Sequence, residues 1–134
     1  MARLDLRRAR LQGANLEFAD LSEANLEGAD LHGATAPYVN LSNARLAGAD
    51  LEACFFPRAV LTGADLRHVR LAGAVLTGAD LVGAVFDGAD LTNAGLFGAR
   101  TDGASFADAV LEGVRVGEFA PGPVPSRTED DRNS

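Results

Sequence analysis

The side chains that most often carry catalysis are few in this chain and do not form a motif. Its 134 residues include two histidines, His32 and His68, and one cysteine, Cys54. The histidines are far apart in sequence, and no spacing of His, Cys and acidic residues matches a metal motif. A cysteine nucleophile needs an electropositive, accessible setting. We therefore predict no catalytic residue, no metal and no cofactor, and the chain is not expected to be an enzyme.

The charge balance bears on possible partners. The chain has 19 acidic residues and 12 cationic ones, all arginine, for a net charge of -7. This excess disfavours nonspecific binding to nucleic acid or to anionic membranes. The start MARLDLRRARL has no apolar signal core, and no apolar run approaches the roughly 20 residues that span a bilayer. We expect a cytoplasmic protein without direct nucleic-acid or membrane contacts.

The secondary structure of the chain can be predicted from a five-residue period in its apolar residues. Of the 23 positions in steps of five from Leu6 to Val116, 17 are Leu and three are Phe. Two residues before each of them, 18 of 23 positions are Ala, and a mostly polar residue lies between. This alternation predicts a very short strand, followed by a corner where Gly occurs twelve times. An α-helix is excluded because a period of five drifts around its axis.

These units have the form of a known repeat. Ala29-Asp30-Leu31-His32-Gly33, Ala64-Asp65-Leu66-Arg67-His68 and Ala89-Asp90-Leu91-Thr92-Asn93 resemble the A(D/N)LXX consensus of the pentapeptide-repeat family, and the resemblance covers residues 4–116. It implies an all-β fold, a right-handed quadrilateral parallel β-helix of about five to six coils with four units in each. We assign residues 1–117 to this β-helix and residues 118–134 to a Pro/Gly-containing C-terminal cap and a disordered charged tail.

The inward positions predict the core and its two ends. Phe86 and Phe106 lie in one inward column and should stack, and Cys54 takes an inward, Ala-type position. At the first coil Leu4 replaces the usual Ala and is predicted to plug the core. At the other end Val114, Val116 and Phe119 are predicted to close it.

Positions twenty residues apart should lie above one another, so the outward residues sort into four faces. The third face is unusual, because apolar side chains occupy its outward positions, the positions two residues after them and the corners that follow. We call it the apolar face: Phe18, Pro37, Tyr38, Phe55, Pro57, Arg58, Val75 and Phe97. Such patches often mark contact surfaces. The alternative is a local bulge in which Phe55 or Tyr38 folds over a distorted coil, because Ala36 underfills the core there.

The second face is acidic. We call it the acidic face: Asp30, Asp50, Glu52, Asp90 and Glu112. Asp30 and Asp50 should repel each other, with the arginines at positions 10 and 70 compensating. The family resemblance implies one use for such a face, since some members mimic DNA, bind DNA gyrase or topoisomerase IV and protect them from quinolones. A rod of about 27 Å would match roughly sixteen phosphate charges, whereas residues 1–117 carry a net charge of only -5 (15 acids, 10 arginines).

Three functions are compatible with these features. The leading one is a noncatalytic scaffold or protein-binding module that acts through an exposed face, with a protein partner or a second copy in a homodimer. The alternative is a DNA mimic that binds gyrase or topoisomerase IV and confers quinolone or antibiotic self-resistance. A third is a small enzyme or ligand carrier that uses the apolar face near Arg58 and Tyr38.

Overall fold

The described part of the chain forms a solenoid in which every β-bridge between coils joins residues twenty apart. A computed structural model describes residues 3–117. Within this range there is no α-helix and no strand longer than one residue, and nothing that could cross a membrane as a helix. The backbone instead makes nineteen parallel single-residue bridges, from Asp5 with Asn25 to Gly95 with Arg115. The predicted quadrilateral parallel β-helix is therefore confirmed, with four five-residue units in each coil.

Each unit ends in a tight turn that requires a left-handed residue. In the first turn the Ala9 N–H donates to the Leu6 carbonyl at 3.0 Å. Arg8, between them, has φ +58°, as the third position of a type II turn demands. Every corner from Arg8 to Gly113 shares this conformation, in twelve glycines and ten other residues. Glycine occurs at the corners because it enters this region without a steric cost.

Backbone hydrogen bonds, between coils and within the turn, account for all but one backbone N–H of a typical unit. The N–H of Asp65 donates to the coil before it, and those of Leu66 and His68 donate to the coil after it, at 2.7–3.0 Å. The Val69 N–H closes the turn, which leaves the N–H of Arg67 without a backbone partner. We call the N–H at this position, directly after the inward Leu, the orphan N–H.

The orphan N–H explains why the outward position favours Asp and Asn. In the unit above, Asp65 Oδ1 accepts it from Arg67 at 3.1 Å. The same side-chain bond forms wherever Asp or Asn holds the outward position in the described range, namely at Asp5, Asn15, Asp20, Asn25, Asp30, Asn40, Asp50, Asp65, Asp80 and Asp90. A side-chain oxygen two residues before a turn N–H is well placed to accept from it.

The interior of the rod is a continuous column of Leu and Ala. From Leu21 to Ala99 the inward side chains are almost completely buried. The predicted ring stack is present, with Phe86 and Phe106 centroids 5.0 Å apart and nearly parallel. Cys54 is 1% exposed, and burial raises the pKa of its thiol to about 12. Cys54 is thus a core residue, as its position predicted.

The two ends of the rod differ from the centre. Leu4 is 48% exposed, so the prediction that it plugs the first coil is wrong: its side chain lies outside the core. Val114 and Val116 are partly buried against the core, as expected. Phe119 and the predicted cap and tail, residues 118–134, lie outside the described residues.

Corner side chains lean towards the corner of the next coil. The Arg58 side chain covers Gly78, with its Cδ 2.8 Å from where a Cβ on Gly78 would be. His68 covers Gly88 in the same way, with Nδ1 2.5 Å from such a Cβ. By contrast, nothing lies within 4 Å of a Cβ on Gly33. At these corners the large side chain therefore fills the space that a glycine leaves one coil later.

We expect Gly88→Ala to lower the free energy of unfolding more than Gly33→Ala. Both substitutions place a Cβ on a left-handed residue, at about 1–2 kcal/mol, but only Gly88→Ala also displaces His68. Urea denaturation of both variants measures the difference. Adding His68→Ala should remove the excess cost at position 88, and equal costs at the two glycines would contradict the leaning contact.

Candidate interaction face

The predicted apolar residues share one side of the rod and are accessible. Phe18, Tyr38, Phe55 and Phe97 are between 43% and 67% exposed, and these four are most of the large exposed hydrophobic residues in the described range. Pro37, Pro57 and Val75 are half-buried between them, and Arg58 is exposed at the corner. The bridges from Thr35 to Phe55 and from Phe55 to Val75 align these residues in successive coils. The column assignment made from the sequence therefore describes their positions correctly.

Two prolines remove polar backbone from this face. Pro37 and Pro57 occupy the position that carries the orphan N–H in other units. The outward residues two positions before them are Thr35 and Phe55, at the place where Asp or Asn accepts this N–H in other units. Proline has no N–H, and its fixed φ suits the second position of a type II turn. Both prolines of residues 3–117 are at this place. The two coils thus lose the polar side chain and the backbone donor together, a pairing that sequence analysis missed.

Aromatic residues occupy strained corners on this face. The rings of Phe18 and Tyr38 stack in parallel, with centroids 5.2 Å apart. Their φ values are +62° and +61°, a conformation that bulky residues seldom adopt. This conformation costs about 1–3 kcal/mol, and eight other corners that lack glycine share it. Further along, the Arg115 guanidinium lies 6.0 Å from the centroid of the Phe97 ring, at the limit for a cation–π contact.

The backbone beneath the face is regular. The Ala36 N–H donates to the Phe55 carbonyl at 2.8 Å, and the Phe55 N–H donates to the Ala34 carbonyl at 2.8 Å. Ala36 is fully buried, and Phe55 remains close to half exposed. The bulge considered as the alternative is therefore not observed, because the ladder continues through this coil and Phe55 does not fold over it.

The apolar face also differs from its neighbours in charge. Its outward, flanking and corner positions carry Arg58, Arg115 and Glu17, so two cations and one acid give +1. The second face has five acids and the arginines at positions 10 and 70, which gives -3. The apolar face is thus weakly cationic on a rod whose net charge is negative.

Charge on the acidic face is partly compensated by arginine. Arg70 Nη2 lies 2.9 Å from Glu52 Oε2, and its Nη1 lies 3.6 Å from Asp50 Oδ2. Asp30 and Asp90 accept the orphan N–H groups of their own units. Hydrogen bonds from the Thr92 side chain and backbone lower the pKa of Asp90. Glu112 is exposed near the C-terminal end.

One group on this face has the composition of a metal site. Ligand atoms of His32, Asp50 and Glu52 lie within 4.8 Å of one another, and His32 Nδ1 is 3.9 Å from Glu52 Oε1. The residues come from two coils, so linear spacing did not reveal them. Arg70 contacts both carboxylates and supplies the positive charge that a metal would bring. His68, the other histidine, belongs to a different corner and covers Gly88.

Comparison with known proteins agrees with the repeat. The sequence profile described as pentapeptide repeats matches eight copies, at residues 1–35, 40–78 and 70–100. No curated protein sequence matches the chain. Among solved structures, alr5209, a pentapeptide repeat protein from Nostoc PCC 7120, is 32% identical, with 87% of this chain and 86% of that chain covered and a TM-score of 0.48.

Two further structures show the range of similarity. Rfr23, a pentapeptide repeat protein from the cyanobacterium Cyanothece 51142, is 32% identical over 66% of this chain, with a TM-score of 0.39, and this chain covers 64% of its length. Full-length QnrB1, a plasmid-mediated fluoroquinolone resistance protein, is 21% identical, with 86% of this chain and 68% of that chain covered and a TM-score of 0.38. From its repeats, and from the coils that they build, the chain belongs to the pentapeptide-repeat family of right-handed quadrilateral β-helices.

Proposed function

We propose that this protein is a noncatalytic scaffold that binds a protein partner, or a second copy of itself, through the apolar face. The observation that carries this proposal is the placement of Pro37 and Pro57. Each removes the backbone donor that an adjacent Asp or Asn satisfies elsewhere in the rod. A surface that will be covered benefits from this loss, because a buried unpaired N–H costs about 1–3 kcal/mol.

The side chains on the face suit protein contact. Interfaces are enriched in aromatic residues and arginine, and their energetic centres are rigid aromatic anchors. Tyr38 is held against Phe18, and Phe55 stands between Thr35 and Val75 on a regular ladder. The stack holds the Phe18 and Tyr38 rings in place before binding, so these side chains lose little entropy when a partner contacts them.

We expect the double variant Tyr38→Ser/Phe55→Ser to lose the interaction while keeping the fold. Each substitution removes an exposed ring and leaves the inward Leu and Ala positions intact. Quantitative affinity capture with the purified protein, and sedimentation velocity for self-association, provide the two readouts. Val110→Ser is a matched control, because Val110 is 48% exposed but lies outside the apolar face.

The outcomes separate contact from stability. The wild type and Val110→Ser should bind the partner or form the dimer, and the double variant should do neither. The melting temperature of the double variant should stay close to that of the wild type. If the double variant retains the same partners or the same oligomeric state, the apolar face is not the binding surface.

The acidic face supports a second candidate, a DNA mimic that binds DNA gyrase or topoisomerase IV and confers resistance to quinolones or other antibiotics. Its net charge of -3 motivates this proposal, and the contacts of Arg70 with Asp50 and Glu52 weigh against it. A supercoiling assay with purified gyrase tests the idea. Inhibition or protection from a quinolone, weakened by Asp30→Arg/Asp90→Arg, is the expected result. No binding, inhibition or protection at micromolar protein would exclude the mimic.

A further inference from the structure

The apolar face carries bulky side chains in its first three coils and mostly smaller ones in the next two. The exposed rings of Phe18, Tyr38 and Phe55 belong to the first half. The outward and corner positions of the fourth and fifth coils hold Val75, Gly78, Gly95 and Gly98. At Gly98 only backbone atoms lie within 4 Å of where a Cβ would be, so this corner is open. One half of the face therefore projects and much of the other half is low, with Phe97 as its one ring.

A two-fold axis that crosses the face at its midpoint would bring these two halves together. The outward column runs through six coils as Asn15, Thr35, Phe55, Val75, Gly95 and Arg115. An axis between Phe55 and Val75, in the plane of the contact and perpendicular to the rod, makes two copies antiparallel. The first coil of one copy then lies opposite the sixth coil of the other, and the second opposite the fifth. Each contact occurs twice, as in every isologous dimer.

In this arrangement bulky side chains meet low or flat positions. The opposed pairs are Tyr38 with Gly98, Phe55 with Val75, and Phe97 with Pro37. A parallel pair, by contrast, would place each coil on the same coil of the other copy, so that the projecting halves meet and the glycines leave a gap. Because interface cores pack as densely as protein interiors, the antiparallel pair is favoured.

The charges of the face follow the same pattern. Glu17 is its only acid and lies in the first coil, whereas Arg115 lies in the sixth. Within residues 3–117 neither of them forms an ion pair. Because these two coils face each other, an ion pair can form at each end of the dimer. The two copies of Arg58 approach each other near the axis, but at an exposed corner salt screens their repulsion.

We propose that the apolar face binds the apolar face of a second copy of this chain, in an antiparallel dimer whose two-fold axis passes between Phe55 and Val75. This inference rests on the proposed function, because it names the partner of the same face and the arrangement in which it binds. One side of a six-coil rod is a small interface, so the dimer is weak and its population depends on concentration.

Charge reversal in the full chain tests the arrangement. Glu17→Arg and Arg115→Glu each replace two ion pairs by two contacts between like charges, so each variant alone should dimerise at least about tenfold more weakly than the wild type. In an equimolar mixture of the two variants, opposite charges meet at both ends again, and dimerisation should return to the wild-type level. Sedimentation velocity at low salt, between about 1 µM and 1 mM protein, measures the dissociation constants.

A matched control makes the same charge change outside the apolar face. Glu112 is exposed on the acidic face, so Glu112→Arg should dimerise no more weakly than the wild type. The melting temperatures of all three variants should stay close to that of the wild type, because each altered side chain is exposed.

Two results would overturn this inference. One is a wild type that stays monomeric throughout the concentration range, and the other is a dimer that the mixture of charge variants does not restore. The proposed function can fail or stand separately. An external partner that the wild type captures and Tyr38→Ser/Phe55→Ser loses would support the face as a binding surface even for a monomeric chain.

Discussion

Phe86→Ala should lower the free energy of unfolding by about 3–5 kcal/mol, the usual cost of truncating a buried aromatic ring. Phe86 is completely buried in the inward column and stacks on Phe106 with parallel rings. Its removal leaves a cavity that the neighbouring coils cannot fill, because their hydrogen bonds fix the spacing along the rod. Urea denaturation followed by circular dichroism measures the change.

Phe97→Ala is the matched control for this substitution. It removes the same side chain in the same part of the rod, from a site that is 43% exposed. Its cost should be about 1 kcal/mol or less, because surface substitutions usually change the free energy of unfolding by about 0.5 kcal/mol and Phe97 is only partly buried. Equal losses for the two variants would mean that the inward column does not dominate stability.

Deletion of Thr62 should destabilise the rod more than deletion of the whole unit 61–65. One missing residue moves every later inward Leu to another position in its unit. Residues 60–64 make six hydrogen bonds to the adjacent coils. At about 0.5–1.5 kcal/mol each, losing half of them costs roughly 1.5–4.5 kcal/mol, before any loss of core packing.

The five-residue deletion keeps the register, because each remaining unit still provides one large and one small inward residue. It also moves Val75 and Phe97 to the preceding face, which should weaken partner binding while cooperative unfolding persists. Thermal unfolding compares the two deletions. If the one-residue deletion were the less harmful, local rearrangement and not register would govern this rod.

The five-residue period predicted the short strand and the corner of each unit because their cause is local and repeated, and the family resemblance implied that four units form one coil. Every unit must place one Leu and one Ala inside and one left-handed residue at the corner, and each requirement leaves a residue type in the sequence. The columns of the apolar face followed from this coil of twenty residues. The role of Asp and Asn did not, because the orphan N–H becomes evident only when the backbone donors of a coil are counted.

Contacts between side chains of different coils were harder to predict. Leu4 occupies an inward position in the register, yet its side chain is 48% exposed. His32, Asp50, Glu52 and Arg70 meet through long side chains whose conformations no period specifies. The parallel stack of Phe18 on Tyr38 likewise depends on how each side chain leans from its corner.

That lean gives the rod a polarity. Arg58 covers Gly78 and His68 covers Gly88, each in the C-terminal direction. The order of the coils is therefore not interchangeable, although their cores are nearly identical. A chimera that splices coils from two family members has to match corner residues across the junction, so that a large residue precedes either a glycine or a ring on which it can stack, as Phe18 stacks on Tyr38. Shuffling coils by their core sequence alone would separate these matched corner residues.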